Sequence, residues 1–316
     1  MALRKDIIEI LEENIGSFIS GEEMARRFSV SRSAVAKCIK RLKEDGYEIE
    51  SVNRAGHRLL SLPDMLSCRE IYEMVGNEPS IIIYESIDST NTRAKQLISN
   101  GVINNAIIAA TEQTNGRGRQ GKSFFSPKST GLYFSCVFRL DALLADSVAI
   151  TAASAVAVCR VIEQETKKHP MIKWVNDIFI DDKKVCGILT EAVTDFESGR
   201  VQSVVIGIGV NLTTEIFPEE IKDIASSVGK IDKNRFIAEV YHSLKKYCEN
   251  LSDRSFMEEY RSRSLVLGNS LTFSRNGIDY TAVAKSILDD GGLEVVTDSG
   301  DRMVLQSGEI SIKPIF

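Results

Sequence analysis

The order of apolar and polar residues divides the chain into three differently patterned parts. In the first sixty residues apolar positions recur every three or four residues, which predicts helices. Ser20 to Glu23 is a capping box that opens a second helix, and Ser31 caps a third, which ends at Gly46. The inward residues of the three helices are Leu3, Ile7, Leu11, Ile15, Met24, Phe28, Val35, Cys38, Ile39 and Leu42.

Two strand-like runs, 47–52 and 57–60, follow these helices and complete a predicted winged helix-turn-helix over residues 1–62. After a linker at Pro63, strand and helix patterns mix between residues 66 and 262. In the last part, 265–316, short strand patterns alternate with Gly- and Asp-rich turns, which predicts a small β-barrel. The predicted fold class is therefore α+β. The strands of the middle part are predicted at 81–84, 106–110, 132–138, 184–189 and 204–210, its long helices at 147–165 and 234–250, and the last strands at 271–273, 280–287, 293–296 and 303–305.

Composition narrows the class of protein. Of the 316 residues 43% are hydrophobic and 26% charged, as in soluble globular domains. No run approaches the roughly 20 apolar residues that cross a bilayer, and the N-terminus is unlike a signal peptide. The six cysteines are scattered without a disulfide framework, so we expect a cytoplasmic protein. The net charge is −5, yet residues 26–58 hold nine Lys and Arg against four acids, which indicates a nucleic-acid surface.

The segment 116–123 satisfies both the dinucleotide-binding and the P-loop glycine patterns. Both patterns require a helix to begin where the loop ends, so that its N-terminus faces phosphate. Pro127 and Gly131 leave no room for that helix, so neither site is predicted. Arg117, Arg119 and Lys122 instead supply fixed positive charge suited to a carboxylate or phosphate. A solvated surface loop is the alternative if the segment acts alone.

It does not stand alone, because further motifs flank it in order. The chain carries Ser89-Thr90-Asn91, then Q-x-x-G-R-G-R-x-G from Gln113, K-W-x-N-D from Lys173, K-x-x-G-I-L-x-E from Lys184, G-x-G-x-N from Gly207, and Gly308 to Ser311. This set resembles the biotin protein ligases. With the winged helix ahead of it, the chain is similar to the bifunctional members that also repress biotin genes. The resemblance implies a class II synthetase-like central domain and an SH3-like C-terminal barrel.

The resemblance also implies a reaction and its components. Biotin and ATP, with Mg²⁺ carried by the phosphates, form biotinoyl-5′-AMP, and the acyl group passes to a lysine of the biotin carboxyl carrier protein of acetyl-CoA carboxylase. We expect no bound metal, since His57, His169 and His242 lie far apart in the sequence. Two alternatives remain open: a lipoate or octanoate acyltransferase, and a repressor that senses biotin without catalysis.

The implied site residues fall into three groups. Lys184 is the expected catalytic cation, assisted by Arg119, and Asp177 helps to deprotonate the carrier lysine unless it is only a turn residue. Ser89 to Asn91 can equally be an ordinary helix cap. Val175 stands where the family usually has proline. The biotin-binding residues are Ser89, Thr90, Asn91, Gln113, Arg117, Gly118, Arg119 and Lys184, and the nucleotide-binding residues are Lys122, Lys173, Asn176 and Asn211.

The winged helix-turn-helix over residues 1–62 is expected to bind operator DNA. The first residues of the third helix, Arg32, Ser33 and Lys37, are candidates for contacts with base edges. The phosphate-contact candidates are Lys40, Arg41, Arg54 and Arg58. The resemblance implies a homodimer on an inverted repeat, assembled when the adenylate is bound, so that the intermediate is also the corepressor. A winged helix used only for protein contacts is the alternative.

Overall fold

The computed structural model describes residues 2–44, 47–61, 65–143, 146–194, 200–306 and 310–312. The chain forms two compact units, Met1–Met65 and Leu66–Phe316. Across the described ranges, no helix is both long and apolar enough to cross a membrane. The predicted helix end at Gly46, the linker at Pro63, and Gly308 and Glu309 of the last motif lie outside the described residues.

The first unit has the predicted order of elements around a core of its own. The Ser20 hydroxyl accepts a hydrogen bond from the Glu23 amide at 3.0 Å, and the Ser31 hydroxyl accepts one from the Ala34 amide at 3.2 Å, so both predicted helix caps are confirmed. Its elements are α1 (Ala2–Glu13), α2 (Gly21–Arg27), α3 (Arg32–Glu44), β1 (Glu48–Val52) and β2 (Gly56–Ser61).

One predicted core residue of the first unit is wrong. Ile15 is 48% exposed, because α1 ends at Glu13 and the chain turns away at Gly16, whose φ of +81° lies in the left-handed region. Ile10 takes the inward position instead and is buried beside Ile7 and Leu11.

The second unit is built on a seven-stranded mixed sheet in the order β3-β4-β5-β9-β8-β7-β6. Only β3 and β4 pair in parallel; the other neighbours are antiparallel. Between residues 66 and 262, two short α-helices, α4 and α8, and two short strands, β6 and β7, were not predicted. The elements are α4 (Cys68–Val75), β3 (Ser80–Tyr84), α5 (Thr90–Ser99), β4 (Ala106–Ala110), β5 (Gly131–Ala142), α6 (Asp146–Thr166), β6 (Met171–Lys173), β7 (Asp177–Ile180), β8 (Lys183–Thr194), β9 (Val201–Asn211), α7 (Lys233–Glu249) and α8 (Phe256–Ser262).

Both faces of this sheet are covered, which explains why its central strands are apolar without alternation. All five residues of β4 are buried. Ile107 and Ala109 face the large core shared with α6 and α7, whereas Ala106 and Ile108 face a smaller core beneath α5. Because successive side chains of a strand point to opposite faces of the sheet, alternate residues of β4 pack against different helices.

The last part folds as an antiparallel sheet in the order β13-β12-β11-β10-β14. Among the described residues its two outer strands do not pair, so the sheet is open and the predicted barrel is not confirmed. Its apolar residues belong to the same core as the large sheet, and the Trp174 indole donates a hydrogen bond of 2.9 Å to the carbonyl of Gly291. Its strands are β10 (Ser270–Arg275), β11 (Ile278–Ile287), β12 (Leu293–Thr297), β13 (Arg302–Leu305) and β14 (Ser311–Ile312).

Candidate functional site

A cavity of about 490 Å³ opens at the surface of the large sheet, between α5, the glycine loop and strands β7 to β9. All thirteen residues that the sequence assigned to ligands line it. They are Ser89, Thr90, Asn91, Gln113, Arg117, Gly118, Arg119, Lys122, Lys173, Asn176, Asp177, Lys184 and Asn211. Side chains separated by up to 122 positions in the sequence therefore converge on one volume.

One end of the cavity is a network of neutral polar groups at the start of α5. Ser89 caps that helix by accepting from the Thr92 amide, so the cap interpretation is correct and is compatible with a place in the cavity. Gln113 accepts from the Thr90 amide at 2.9 Å and donates to the Ser126 hydroxyl at 3.0 Å. Both ends of the Gln113 amide are thereby fixed in orientation.

Ser135 of β5 belongs to this network and was not predicted. It is fully buried, donates to Asn91 Oδ1 at 2.7 Å and lies 2.8 Å from the Thr90 hydroxyl. Asn91 in turn donates to the Leu189 carbonyl at 3.1 Å and to Glu191 at 2.9 Å. Both amide hydrogens of Asn91 are thus occupied, so only its carbonyl oxygen has hydrogen-bonding capacity left.

Gly207 of β9 makes room for the Asn91 amide. A Cβ at position 207 would lie 2.1 Å from Asn91 Oδ1. We expect Gly207→Ala to displace the buried amide, to raise the KM for the ligand of this end of the cavity, and to lower the free energy of unfolding by about 1–3 kcal/mol. Chemical denaturation measures the second effect. Gln202→Ala, an exposed change on the same strand, is the control, and equal stability of the two variants would contradict the expectation.

The other end of the cavity is charged. Arg119 donates to Asn176 Oδ1 at 3.3 Å, the Asn176 amide donates to Asp177 Oδ1 at 3.0 Å, and Lys184 Nζ lies 2.7 Å from that same carboxylate oxygen. Lys184 and Asp177 are 31% and 24% exposed, so the pair is partly shielded from water. A continuous chain of contacts therefore joins the glycine loop to the lysine of β8.

The glycine loop folds back on itself and does not lead into a helix. The Gly118 amide donates to the Lys122 carbonyl at 2.7 Å, and the loop contains one 3₁₀ turn of three residues, Arg119–Gly121, before β5 begins. The rejection of the dinucleotide and P-loop patterns is confirmed. After the loop, the Phe124 ring packs over Gly209, where a Cβ would lie 2.5 Å from it.

Residues 212–228 form a second wall of the cavity that the sequence analysis did not assign. Phe217, Ile221, Ile224 and Ala225 line the cavity, and the Phe217 ring lies 6.3 Å from that of Phe125. The ends of the segment are tied to the sheet. The Asn211 amide donates to the Ser226 carbonyl at 3.1 Å, and the backbone of Lys184 pairs with Ile224 and Ser226 at 2.8 and 2.9 Å.

In the first unit, the DNA-contact candidates differ in how available they are. Arg32, Ser33, Lys37, Lys40, Arg41 and Arg54 are exposed. Arg58 is engaged: its guanidinium pairs with the Glu50 carboxylate and stacks 4.5 Å above the Phe18 ring centroid. Arg54 occupies the turn of the wing with a φ of +68°. In the described parts of the chain, no three His, Cys, Asp or Glu side chains form a metal-binding group.

Comparison with known proteins identifies the family. A model of the biotin/lipoate A/B protein ligase family matches residues 83–211, and an HTH domain model matches residues 3–58. The bifunctional ligase/repressor BirA of Bacillus subtilis (strain 168) is 34% identical over 317 residues, 96% of each chain. The chain belongs to the family of the bifunctional ligase/repressor BirA. The predicted resemblance is confirmed.

Other relatives and solved structures support the same family assignment. BirA of Escherichia coli (strain K12) is 27% identical over 80% of this chain and 79% of its own. A biotin protein ligase from Aquifex aeolicus, solved in complex with biotin and ATP, superposes with a TM-score of 0.61 at 27% identity, covering 74% of this chain and 98% of that one. The BirA family thus accounts for both units of the chain.

Proposed function

We propose that this chain is a biotin protein ligase that activates biotin as biotinoyl-5′-AMP, transfers it to a carrier protein, and represses transcription through its first unit. The observation that carries the proposal is the contact chain from Arg119 through Asn176 and Asp177 to Lys184, beside a neutral polar pocket in one cavity. Such a cavity accommodates an uncharged ureido ring at one end and a carboxylate facing a phosphate at the other.

In the first step a carboxylate oxygen of biotin attacks the α-phosphorus of ATP, and pyrophosphate leaves with its electron pair. Two anionic groups must approach each other. The ammonium of Lys184, held by Asp177 at 2.7 Å, supplies the fixed positive charge that stabilises this approach. Arg119 adds a second cation from the loop. We assign Lys122, Lys173, Asn176 and Asn211 to the nucleotide, and segment 212–228 to the wall against adenine.

In the second step the amine of the carrier lysine attacks the acyl carbon, and AMP leaves. Asp177 is the carboxylate placed to accept the proton that this amine loses. We assign Ser89, Thr90, Asn91, Gln113, Arg117 and Gly118 to biotin, since amides and hydroxyls satisfy the donors and acceptor of a ureido ring. Mg²⁺ would arrive with the ATP phosphates and help neutralise their charge.

The proposal is tested by incubating the protein with labelled biotin, ATP and a purified biotin carboxyl carrier domain and measuring the label on the carrier. Labelled lipoate is the control substrate. We expect labelling with biotin and none with lipoate. Labelling with lipoate alone would favour the acyltransferase alternative, and binding of biotin without any transfer would favour the sensing repressor.

For the repressor function we propose a homodimer that assembles on an inverted repeat when biotinoyl-5′-AMP is bound. The basic, exposed start of α3 and the wing turn support contact with DNA. A ligand that binds the assembled state more tightly shifts the population toward it. A gel shift with and without biotin and ATP tests this: affinity independent of both would remove the corepressor role. Because the proposed function needs ATP, a carrier protein and operator DNA, we propose that the protein is cytoplasmic.

Arg54 and Arg58 of the wing are expected to contribute unequally to DNA affinity. Arg54→Ala should weaken binding to a random-sequence duplex and lower the slope of log affinity against log salt by about 1. Arg58→Ala should change the affinity and the salt slope less, because the Arg58 guanidinium already contacts Glu50 and Phe18. Fluorescence anisotropy over a salt series measures both, and equal losses in the two variants would contradict the difference.

The finer architecture is also part of the proposal. We assign residues 1–62 to the winged helix-turn-helix, 66–262 to a class II synthetase-like ligase domain and 265–316 to an SH3-like barrel. The antiparallel order of β10 to β14 supports the last assignment.

A further inference from the structure

Glu191, the last residue of the K-x-x-G-I-L-x-E motif, forms an ion pair behind the biotin end of the cavity with Lys95, which belongs to none of the site motifs. Lys95 Nζ lies 2.7 Å from Glu191 Oε1. Lys95 follows Asn91 by one turn of α5, so both side chains lie on the same face of the helix, and both reach Glu191 of β8. Lys95 is 32% exposed and Glu191 20% exposed, so solvent only partly screens the pair.

A second cation approaches the same carboxylate oxygen. Arg117 Nη1 of the glycine loop lies 4.0 Å from Glu191 Oε1, the atom that Lys95 already contacts. The other oxygen, Oε2, accepts from Asn91 at 2.9 Å. Arg117 is 45% exposed and forms an ion pair with Glu191. Lys95 and Arg117 therefore compete for one oxygen, and Lys95 has the shorter contact.

Glu191 is ionised at neutral pH. Burial raises the pKa of its carboxyl, but hydrogen bonds from Lys95 and Asn91, together with the charges of Lys95 and Arg117, hold the pKa below its ordinary value. A partly buried carboxylate requires a cation. If Lys95 did not satisfy Glu191, the nearest remaining cation would be the arginine of the loop that wraps the ligand.

We propose that Lys95 is a positioning residue that keeps Arg117 available to the ligand by occupying Glu191 Oε1 in its place. The inference rests on the proposed ligase function and adds a residue to it. Without Lys95, Arg117 would pair with Glu191 and hold the loop against β8. The free protein would then be divided between a pinned and a binding-competent loop, and apparent affinity falls by the competent fraction.

Two substitutions in this one ion pair should act in opposite directions. Lys95→Met keeps the length of the side chain and removes its charge; we expect the KM for biotin to rise about fivefold with kcat unchanged, since the loaded loop is the same. Glu191→Gln keeps an acceptor for Asn91 and removes the attraction for Arg117; we expect the KM for biotin to fall. Adding Lys95→Met to Glu191→Gln should then have no further effect.

A second measurement needs no catalysis. Trypsin must accommodate the Arg117 side chain to cut after it, so pinning protects this bond. Without ligands, cleavage after Arg117, followed by mass spectrometry, should be slower in Lys95→Met and faster in Glu191→Gln than in the unsubstituted protein. Arg93→Met is the matched control on α5, because Arg93 contacts Tyr84 and not Glu191, and it should leave both readouts unchanged.

If Lys95→Met and Glu191→Gln both raised the KM for biotin, or both changed the cleavage rate after Arg117 in the same direction, the ion pair would be an ordinary structural one and the inference would be overturned. An unchanged KM and cleavage rate in Lys95→Met would overturn it as well. Failure of the unsubstituted protein to make biotinoyl-5′-AMP would instead refute the proposed function, and the cleavage rates would still test whether Lys95 releases Arg117.

Discussion

Lys184→Ala is expected to abolish formation of biotinoyl-5′-AMP, lowering its rate by about a thousandfold or more. The substitution removes the cation from the charged end of the cavity and leaves Asp177, 2.7 Å away in the intact protein, as an unpaired carboxylate. The site would then present negative charge where biotin and the α-phosphate must meet. Pyrophosphate release in the presence of biotin and ATP measures the effect.

Lys183 provides a matched control for this prediction. It precedes Lys184 on β8 and is exposed, and it does not line the cavity. Lys183→Ala should retain pyrophosphate release within about twofold, since exposed substitutions away from special contacts have small effects. Retained release in Lys184→Ala would refute the assignment of that lysine, because no other part of the contact chain supplies a cation from β8.

The second large effect is expected in Arg119→Gly, which should release the adenylate before transfer. Arg119 connects the glycine loop to Asn176 and lines the cavity, so its loss would free the loop from the charged end. A loop that no longer closes admits water and lets the mixed anhydride diffuse away. Biotin on bystander proteins, compared with biotin on the carrier, should rise at least about tenfold.

Arg119→Ala separates the two consequences of that substitution, since glycine also loosens the backbone. Both variants should label bystander proteins if the guanidinium holds the loop. Strict carrier specificity in both would count against the closing role of Arg119, whereas labelling by the glycine variant alone would assign the effect to backbone freedom.

The sequence was most informative where the residues that act together are also close together in the chain. The thirteen predicted residues that line the cavity could be assigned because the short motifs that carry them occur in an order and spacing that resembles one family, as with the arginines between glycines at 116–121. Helix caps at Ser20, Ser31 and Ser89 could be predicted for a similar reason, since a cap contacts amides only two or three residues away.

What was missed depends on contacts between distant residues. Ser135 is a single hydroxyl residue in an apolar strand. Its place in the polar network becomes visible only when α5 packs against β5 and brings Thr90 and Asn91 to it. The contact of Lys95 with Glu191 was missed because the two residues are separated by 96 positions, and segment 212–228 has no periodicity that reveals a cavity wall. The prediction that Ile15 is buried was wrong for a local reason. The helical spacing of apolar residues includes position 15, but α1 ends at Glu13 and the chain turns at Gly16.

The extent of the hydrophobic cores also decides which pieces of this chain can exist separately. Among the described residues of the first unit, twelve buried side chains form one core, so a fragment ending near Met65 retains that core. A fragment truncated after Ser262 would strip Leu271, Ala284 and Leu293 from the interior that also encloses Trp174, and would orphan the Trp174 indole. The first unit is thus detachable as a folded piece in evolution or by protein engineering, whereas the C-terminal strands are inseparable from the segment that carries Lys173, Asn176 and Asp177.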